Sequence, residues 1–153
     1  MGAGRLVFTT ELIGAIQEAE AIFIAVGTPS RRGDGHADLS HVYLAAREIA
    51  AAVRGFTVVI TKSTVPVGTG DEVERLIREI NPSADIAVAS NPEFLREGAA
   101  VRDFKQPDRI VVGTEDERAR KVIGEIYRRL YLNKAPVMYT DRRRPAWWCL
   151  RPT

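Results

Sequence analysis

The residues that could do chemistry fall in three short segments. Val26, Gly27, Thr28, Pro29 and Ser30 form the first. A glycine there lets backbone approach a flat or charged ligand, and two hydroxyls flank a stiffening proline. Gly-Thr-Pro is equally a good turn sequence. The second runs from Lys62 to Thr69 and holds Ser63, Thr64, Val65 and Gly68. Its hydroxyls precede a helical pattern, where free N–H groups favour an anion or polar ligand. Thr69 or Asp71 can instead be a plain helix cap. The third is Asn91 to Gly98, with Glu93, Phe94, Leu95, Arg96 and Glu97 inside it. Glu93 and Glu97 are four apart, so one helical turn would place both on one face. Two carboxylates in one cleft can separate their pKa values and act as acid and base. The same spacing also suits a solvated helix start with Arg96 paired outside.

Each segment follows a short apolar run. Ala21–Val26, Thr57–Thr61, Ile86–Ser90 and Arg109–Gly113 lack polar alternation, with Val137–Tyr139 a fifth run and Leu6–Phe8 a lead-in. Such runs suit strands buried on both faces of a parallel sheet. Helical patterns lie between them, over Glu11–Glu18, from Asp38 or Ser40 to about Val53, over Asp71–Ile80 and over Asp116–Leu130. The alternation predicts an α/β fold with a doubly wound parallel sheet. Ligands of such sheets bind at the carboxyl ends of the strands, where all three segments sit.

Composition narrows the class. The chain has 153 residues, 45% apolar and 27% charged, with one cysteine. That is one ordinary globular domain, without a disulfide framework. No apolar run approaches the ~18–20 residues that span a bilayer, and no signal peptide is visible, so no membrane role is expected and the cytoplasm is the expected compartment. The net charge of +2 misleads, because Arg142, Arg143, Arg144 and Arg151 lie in the last twelve residues beside no acid. The remainder holds 18 basic and 20 acidic residues, and gives no hint of a nucleic-acid-binding face. His36 and His41 have no third ligand nearby, so no metal site is expected. Tyr127, Tyr131 and Tyr139 read as packing. Residues 142–153 carry both tryptophans and Cys149, an expected inert thiol. The segment has no periodicity and reads as a reading-frame slip or cloning scar outside the fold, with a natural tail the alternative.

Taken together, Val-Gly-Thr-Pro, Lys-Ser-Thr-Val-Pro-Val-Gly-Thr, Asn-Pro-Glu-Phe-Leu-Arg-Glu-Gly and Gln106-Pro-Asp-Arg-Ile-Val-Val-Gly113 resemble the NAD-binding domain of the UDP-glucose/GDP-mannose dehydrogenase family, in its UDP-glucose branch. The resemblance covers about Arg5 to Arg143, with the domain proper at 5–141. It implies a Rossmann-like fold, NAD as cofactor, and oxidation of the C6 alcohol of UDP-glucose to UDP-glucuronate by a homodimeric parent. GDP-mannose or another sugar nucleotide, and a non-catalytic nucleotide-binding module, are the alternatives. By resemblance, Val26–Ser30 and Ser63–Val65 line the cofactor. Glu93 is the acid/base at hydrolysis of an enzyme thioester, and Thr64 positions the water. Glu93 to Glu97 contact the sugar nucleotide, with Glu97 near the nicotinamide.

Two features of the family are missing from these 153 residues. No segment fits G-x-G-x-x-G, and no cysteine stands in a Gly-Gly-x-Cys context. The chain is therefore expected to be an internal part of a longer enzyme, inactive alone. The first strand of the sheet is expected to be lacking too. Because that strand is central in the 3-2-1-4-5-6 order, Ala21–Val26 should present an unpaired apolar edge, prone to aggregation or swapped pairing.

Overall fold

A computed structural model describes residues 4–31, 33, 35–92, 98, 100–107, 109–131 and 136–143. The elements run α1 (Leu12–Gln17), β1 (Ala21–Ile24), α2 (Ser40–Ala52), β2 (Thr57–Thr61), α3 (Thr69–Ile80), β3 (Ile86–Ser90), α4 (Ala100–Lys105), β4 (Ile110–Gly113), α5 (Glu117–Tyr131) and β5 (Val137–Thr140). The five strands form one sheet in the order β1-β2-β3-β4-β5.

The continuous apolar runs form strands because both faces of the sheet are covered. All five residues of β2 are buried. Val59 and Val88 face α2 and α3, among Val42, Ala46, Ile49, Val73 and Ile77. Val58, Ile60, Ala87 and Ala89 face the other way, against Ala119, Ile123 and Tyr127 of α5. Period-2 alternation thus divides each strand between two apolar cores.

The expected all-parallel sheet needs one correction. β1, β2 and β3 are parallel, with Ala21 opposite Val58 and Thr57 opposite Ile86. β4 is also parallel to β5. β4 meets β3 in an antiparallel sense, however, through the single pair Ser90–Gly113. A parallel return needs a crossover that carries the chain back along the strand. Within the 91–109 connection the one described helix is the six-residue α4, about 9 Å long.

β1 pairs with β2 alone and forms one edge of the described sheet. Leu6, Val7 and Phe8 are exposed and form no strand. Arg142 and Arg143, the first two residues of the segment set apart at 142–153, lie against α3. Arg142 donates to Asp71 at 2.9 Å and to Glu74 at 2.5 Å, and Arg143 donates to Asp71 at 2.7 Å. The rest of that segment, with Trp147, Trp148 and Cys149, is outside the described residues.

Candidate functional site

The first two segments are joined at the carboxyl ends of β1 and β2. The Lys62 N–H donates to the Ile24 carbonyl at 3.0 Å, carrying the ladder one residue past the strands. The Ser63 hydroxyl then donates to the Val26 carbonyl at 2.7 Å. The Thr28 hydroxyl reaches the Thr64 carbonyl at 3.5 Å. Val26 and Val65 pack on the core from their two segments. Two of the hydroxyls expected to face a ligand therefore tie one loop to the other. Gly27, Pro29, Ser30 and Thr64 are exposed beside the seam.

Beyond Ser30 the chain makes a short excursion and returns. Ser30 bridges Ala37, the Arg31 N–H donates to His36, and the Asp38 N–H donates to Pro29 at 2.8 Å. The Asp38 carboxylate then accepts the Ser40 N–H at 2.9 Å, at the start of α2. That bond, aided by the Ser40 hydroxyl, holds the Asp38 carboxyl below its ordinary range. Closing the excursion brings the first turns of α2 beside the first loop. Between them is an open cleft of about 430 Å³, lined by Val26, Gly27, Pro29, His41, Leu44, Ala45 and Glu48. His41, Leu44, Ala45 and Glu48 have i, i+3, i+4, i+7 spacing, the sequence signal that marks this helix face. A Cβ added at Gly27 would meet no atom within 4 Å, so that wall of the cleft is backbone.

The second loop enters α3 through Gly68, which sits at the N-cap with φ 91. Neither Thr69 nor Asp71 caps the helix. The Thr69 hydroxyl turns back to the Pro66 carbonyl at 2.8 Å. Asp71 and Glu72 occupy the first turn and already answer its dipole.

The third segment leaves the sheet at Asn91. Glu93, Phe94, Leu95, Arg96 and Glu97 are outside the described residues, so the structure brings neither carboxylate to the site nor away from it. What it does describe is the anchorage. Asn91 is 1% exposed. Its N–H donates to the Thr61 carbonyl at 2.9 Å, and its Nδ2 donates to the Val111 carbonyl at 2.8 Å. Its Oδ1 accepts from the Tyr127 hydroxyl at 2.5 Å. Sequence reading misses the role of the Asn91 side chain and gives Tyr127 packing alone. Tyr127 does pack, at 6% exposed, but it carries this bond as well. No group of three or more His, Cys, Asp or Glu among the described residues could hold a metal. No described helix is long and apolar enough to cross a membrane.

Known proteins carry the same segment. The NAD-binding-domain model of the UDP-glucose/GDP-mannose dehydrogenase family matches residues 1–131. The chain is 68% identical over 145 residues to a UDP-glucose 6-dehydrogenase of Rhizobium meliloti, covering 94% of this chain and 33% of that protein. It is 48% identical over 141 residues to UDP-glucose 6-dehydrogenase YwqF of Bacillus subtilis, covering 92% and 31%. Among solved structures, the UDP-glucose dehydrogenase of Pyrobaculum islandicum superimposes with a TM-score of 0.85 at 41% identity, over 95% of this chain and 34% of that one. A GDP-mannose dehydrogenase ternary complex from Pseudomonas aeruginosa gives 0.86 at 34% identity, over 95% and 35%. The chain thus spans about a third of the length of the relatives it matches.

Proposed function

Because the chain belongs to the UDP-glucose/GDP-mannose dehydrogenase family and matches that family's NAD-binding domain, we propose that it supplies the cofactor-binding part of an enzyme that oxidises the C6 alcohol of UDP-glucose to UDP-glucuronate. UDP-glucose is preferred to GDP-mannose on the 68% identity to a UDP-glucose 6-dehydrogenase. The observation that carries the reading is the seam at the strand ends. Ser63 and Thr28 bind the two loops into one surface and leave a backbone wall at Gly27 beside the cleft.

The residues present fit a dinucleotide. Val26, Gly27 and Pro29 line the cleft, and Thr28, Ser30, Ser63, Thr64 and Val65 stand beside them on the same two loops. Apolar cleft walls with a few polar groups suit an aromatic base and its ribose. Bound NAD supplies the hydride acceptor. This chain's own residues bind and orient it, and keep water from that face. We assign Glu93 as the acid/base, Thr64 as the group that orients the water Glu93 activates, and Glu97 to the nicotinamide side. Glu93, Phe94, Leu95, Arg96 and Glu97 would together contact the sugar nucleotide. The cytoplasm fits this reading, since NAD and sugar nucleotides are both available there.

Gly27→Val tests the assignment. Its Cβ enters space that is open in the structure and Gly27 is exposed, so the melting temperature should stay within about 3 °C, because an exposed site changes stability little. NAD affinity should fall at least about tenfold, or 1.4 kcal/mol. Calorimetric titration showing equal affinity for both proteins would remove the backbone wall from the cofactor site.

A further inference from the structure

Beyond β1 and β2 the ladder is continued by a side chain in place of backbone. Parallel strands exchange evenly spaced bonds along their length. Thus the Val58 N–H donates to Glu20 at 2.9 Å, and four residues on the Lys62 N–H donates to Ile24 at 3.0 Å. The next rung would bring the Thr64 N–H to the Val26 carbonyl. The chain bends at the half-buried Ser63 instead, and the Ser63 hydroxyl takes that carbonyl at 2.7 Å. The Thr28 hydroxyl reaches the other way, to the Thr64 carbonyl at 3.5 Å. Each loop therefore gives a hydroxyl to a carbonyl of the other. Among the described residues no acceptor takes the N–H of Gly27 or of Thr64. Both of these residues are exposed.

We infer that Ser63 is a positioning residue for the dinucleotide and that its hydroxyl is not one of the contacts. By occupying the Val26 carbonyl, the hydroxyl keeps the Thr64 N–H off the ladder and open to the ligand. The seam consumes acceptors and leaves backbone donors, which suits a molecule rich in phosphate and ribose oxygens. A serine that only shapes a turn bonds to backbone close by in its own loop. Ser63 bonds to a carbonyl 37 residues away, at the end of another strand. The inference rests on the cofactor reading of these two loops. It adds how their polarity is set, and it moves the Ser63 side chain from the lining of the site to its support.

The test uses the whole 153-residue chain, isotopically labelled, with three variants at one position. Ser63→Ala and Ser63→Val lack the hydroxyl, and Ser63→Thr keeps it in the shape of valine. Without NAD, the Thr64 amide should exchange freely with solvent in the parent and in Ser63→Thr. In Ser63→Ala and Ser63→Val it should close onto the Val26 carbonyl and exchange at least about fivefold more slowly, as one hydrogen bond would make it. NAD+ affinity should fall about fivefold in the same two variants and stay within about twofold in Ser63→Thr. If Ser63→Ala does not fold, the Ser63→Thr and Ser63→Val pair carries the comparison. Lost affinity with Thr64 exchange unchanged would make the Ser63 hydroxyl a direct contact and overturn the inference. Unchanged affinity without the hydroxyl would overturn it too, as would a Ser63→Thr protein as weak as Ser63→Val. The exchange readout needs no NAD, so its failure is distinct from a parent chain that does not bind NAD at these loops, which would remove the cofactor reading and this inference with it.

Discussion

Asn91→Leu is expected to destabilise the folded chain by about 2–4 kcal/mol, the cost of removing a buried hydrogen-bonding side chain while its partners stay behind. The shape change is small and leucine suits an apolar site. The loss comes from what surrounds it. The Val111 carbonyl loses the Nδ2 donor at 2.8 Å, and the Tyr127 hydroxyl loses the acceptor at 2.5 Å. Neither region offers water an easy approach, since Val111 and Tyr127 are 3% and 6% exposed. For a chain of this size the melting temperature should fall by about 5–15 °C. Combining Asn91→Leu with Tyr127→Phe should recover part of the loss, because the stranded hydroxyl is then gone. A thermal melt of the single and double variants checks both statements. Equal stability of Asn91→Leu and the parent chain would mean that the network contributes nothing net.

Arg142→Ala should cost about 1–3 kcal/mol at neutral pH, between the values for exposed and buried ion pairs. The Arg142 side chain is 17% exposed, and it pairs with the Asp71 and Glu74 side chains at 29% and 27%. Its stem lies over Gly70, where an added Cβ would come 2.9 Å from the Arg142 Cδ. Arg143 pairs with the same Asp71 but is 73% exposed, so Arg143→Ala should cost little. The pH dependence has a definite sign. Burial pushes the Asp71 carboxyl up, but Arg143 and Arg142 outweigh it and hold the group below its ordinary value of 3.8. At Glu74 burial again opposes, and Arg142 and Arg78 outweigh it, below an ordinary 4.5. Carboxyls depressed in the folded state contribute stability above their unfolded pKa and lose it as pH falls through the folded one. The gap between Arg142→Ala and the parent should therefore be full at pH 7 and narrow below about pH 4. Denaturant melts across that range would show it. A gap independent of pH would assign the cost to packing of the arginine stem.

The strands can be read from the chain because burial on both faces leaves a continuous apolar signature. β2 and β3 fall where Thr57–Thr61 and Ile86–Ser90 predict them. The direction of β4 cannot be read that way. It depends on a connection whose described helix, α4, is too brief to show a period. Ser63 illustrates a different difficulty. A hydroxyl in a loop looks like a ligand contact, and here it donates to Val26, 37 residues away. The Asn91 network has the same character, with Tyr127 36 residues further on. Composition groups Arg142 with the arginines after it, while its ion pairs tie it to α3. The cofactor loops are recognisable because their spacing along the chain is itself the signal. The partners that hold those loops come together only in three dimensions.

The central claim is that NAD occupies the strand-end face at the first two loops. The most direct test is a titration of the labelled chain with NAD+, followed by amide resonances. Weak binding is expected, about millimolar or roughly 4 kcal/mol, because no glycine-rich phosphate turn lies in these 153 residues. Saturable shifts should appear at Gly27, Thr28, Ser30, Ser63, Thr64 and Val65, with α5 residues such as Gly124 unmoved. Saturable shifts centred elsewhere, or none at these six amides in a folded chain, would contradict the claim.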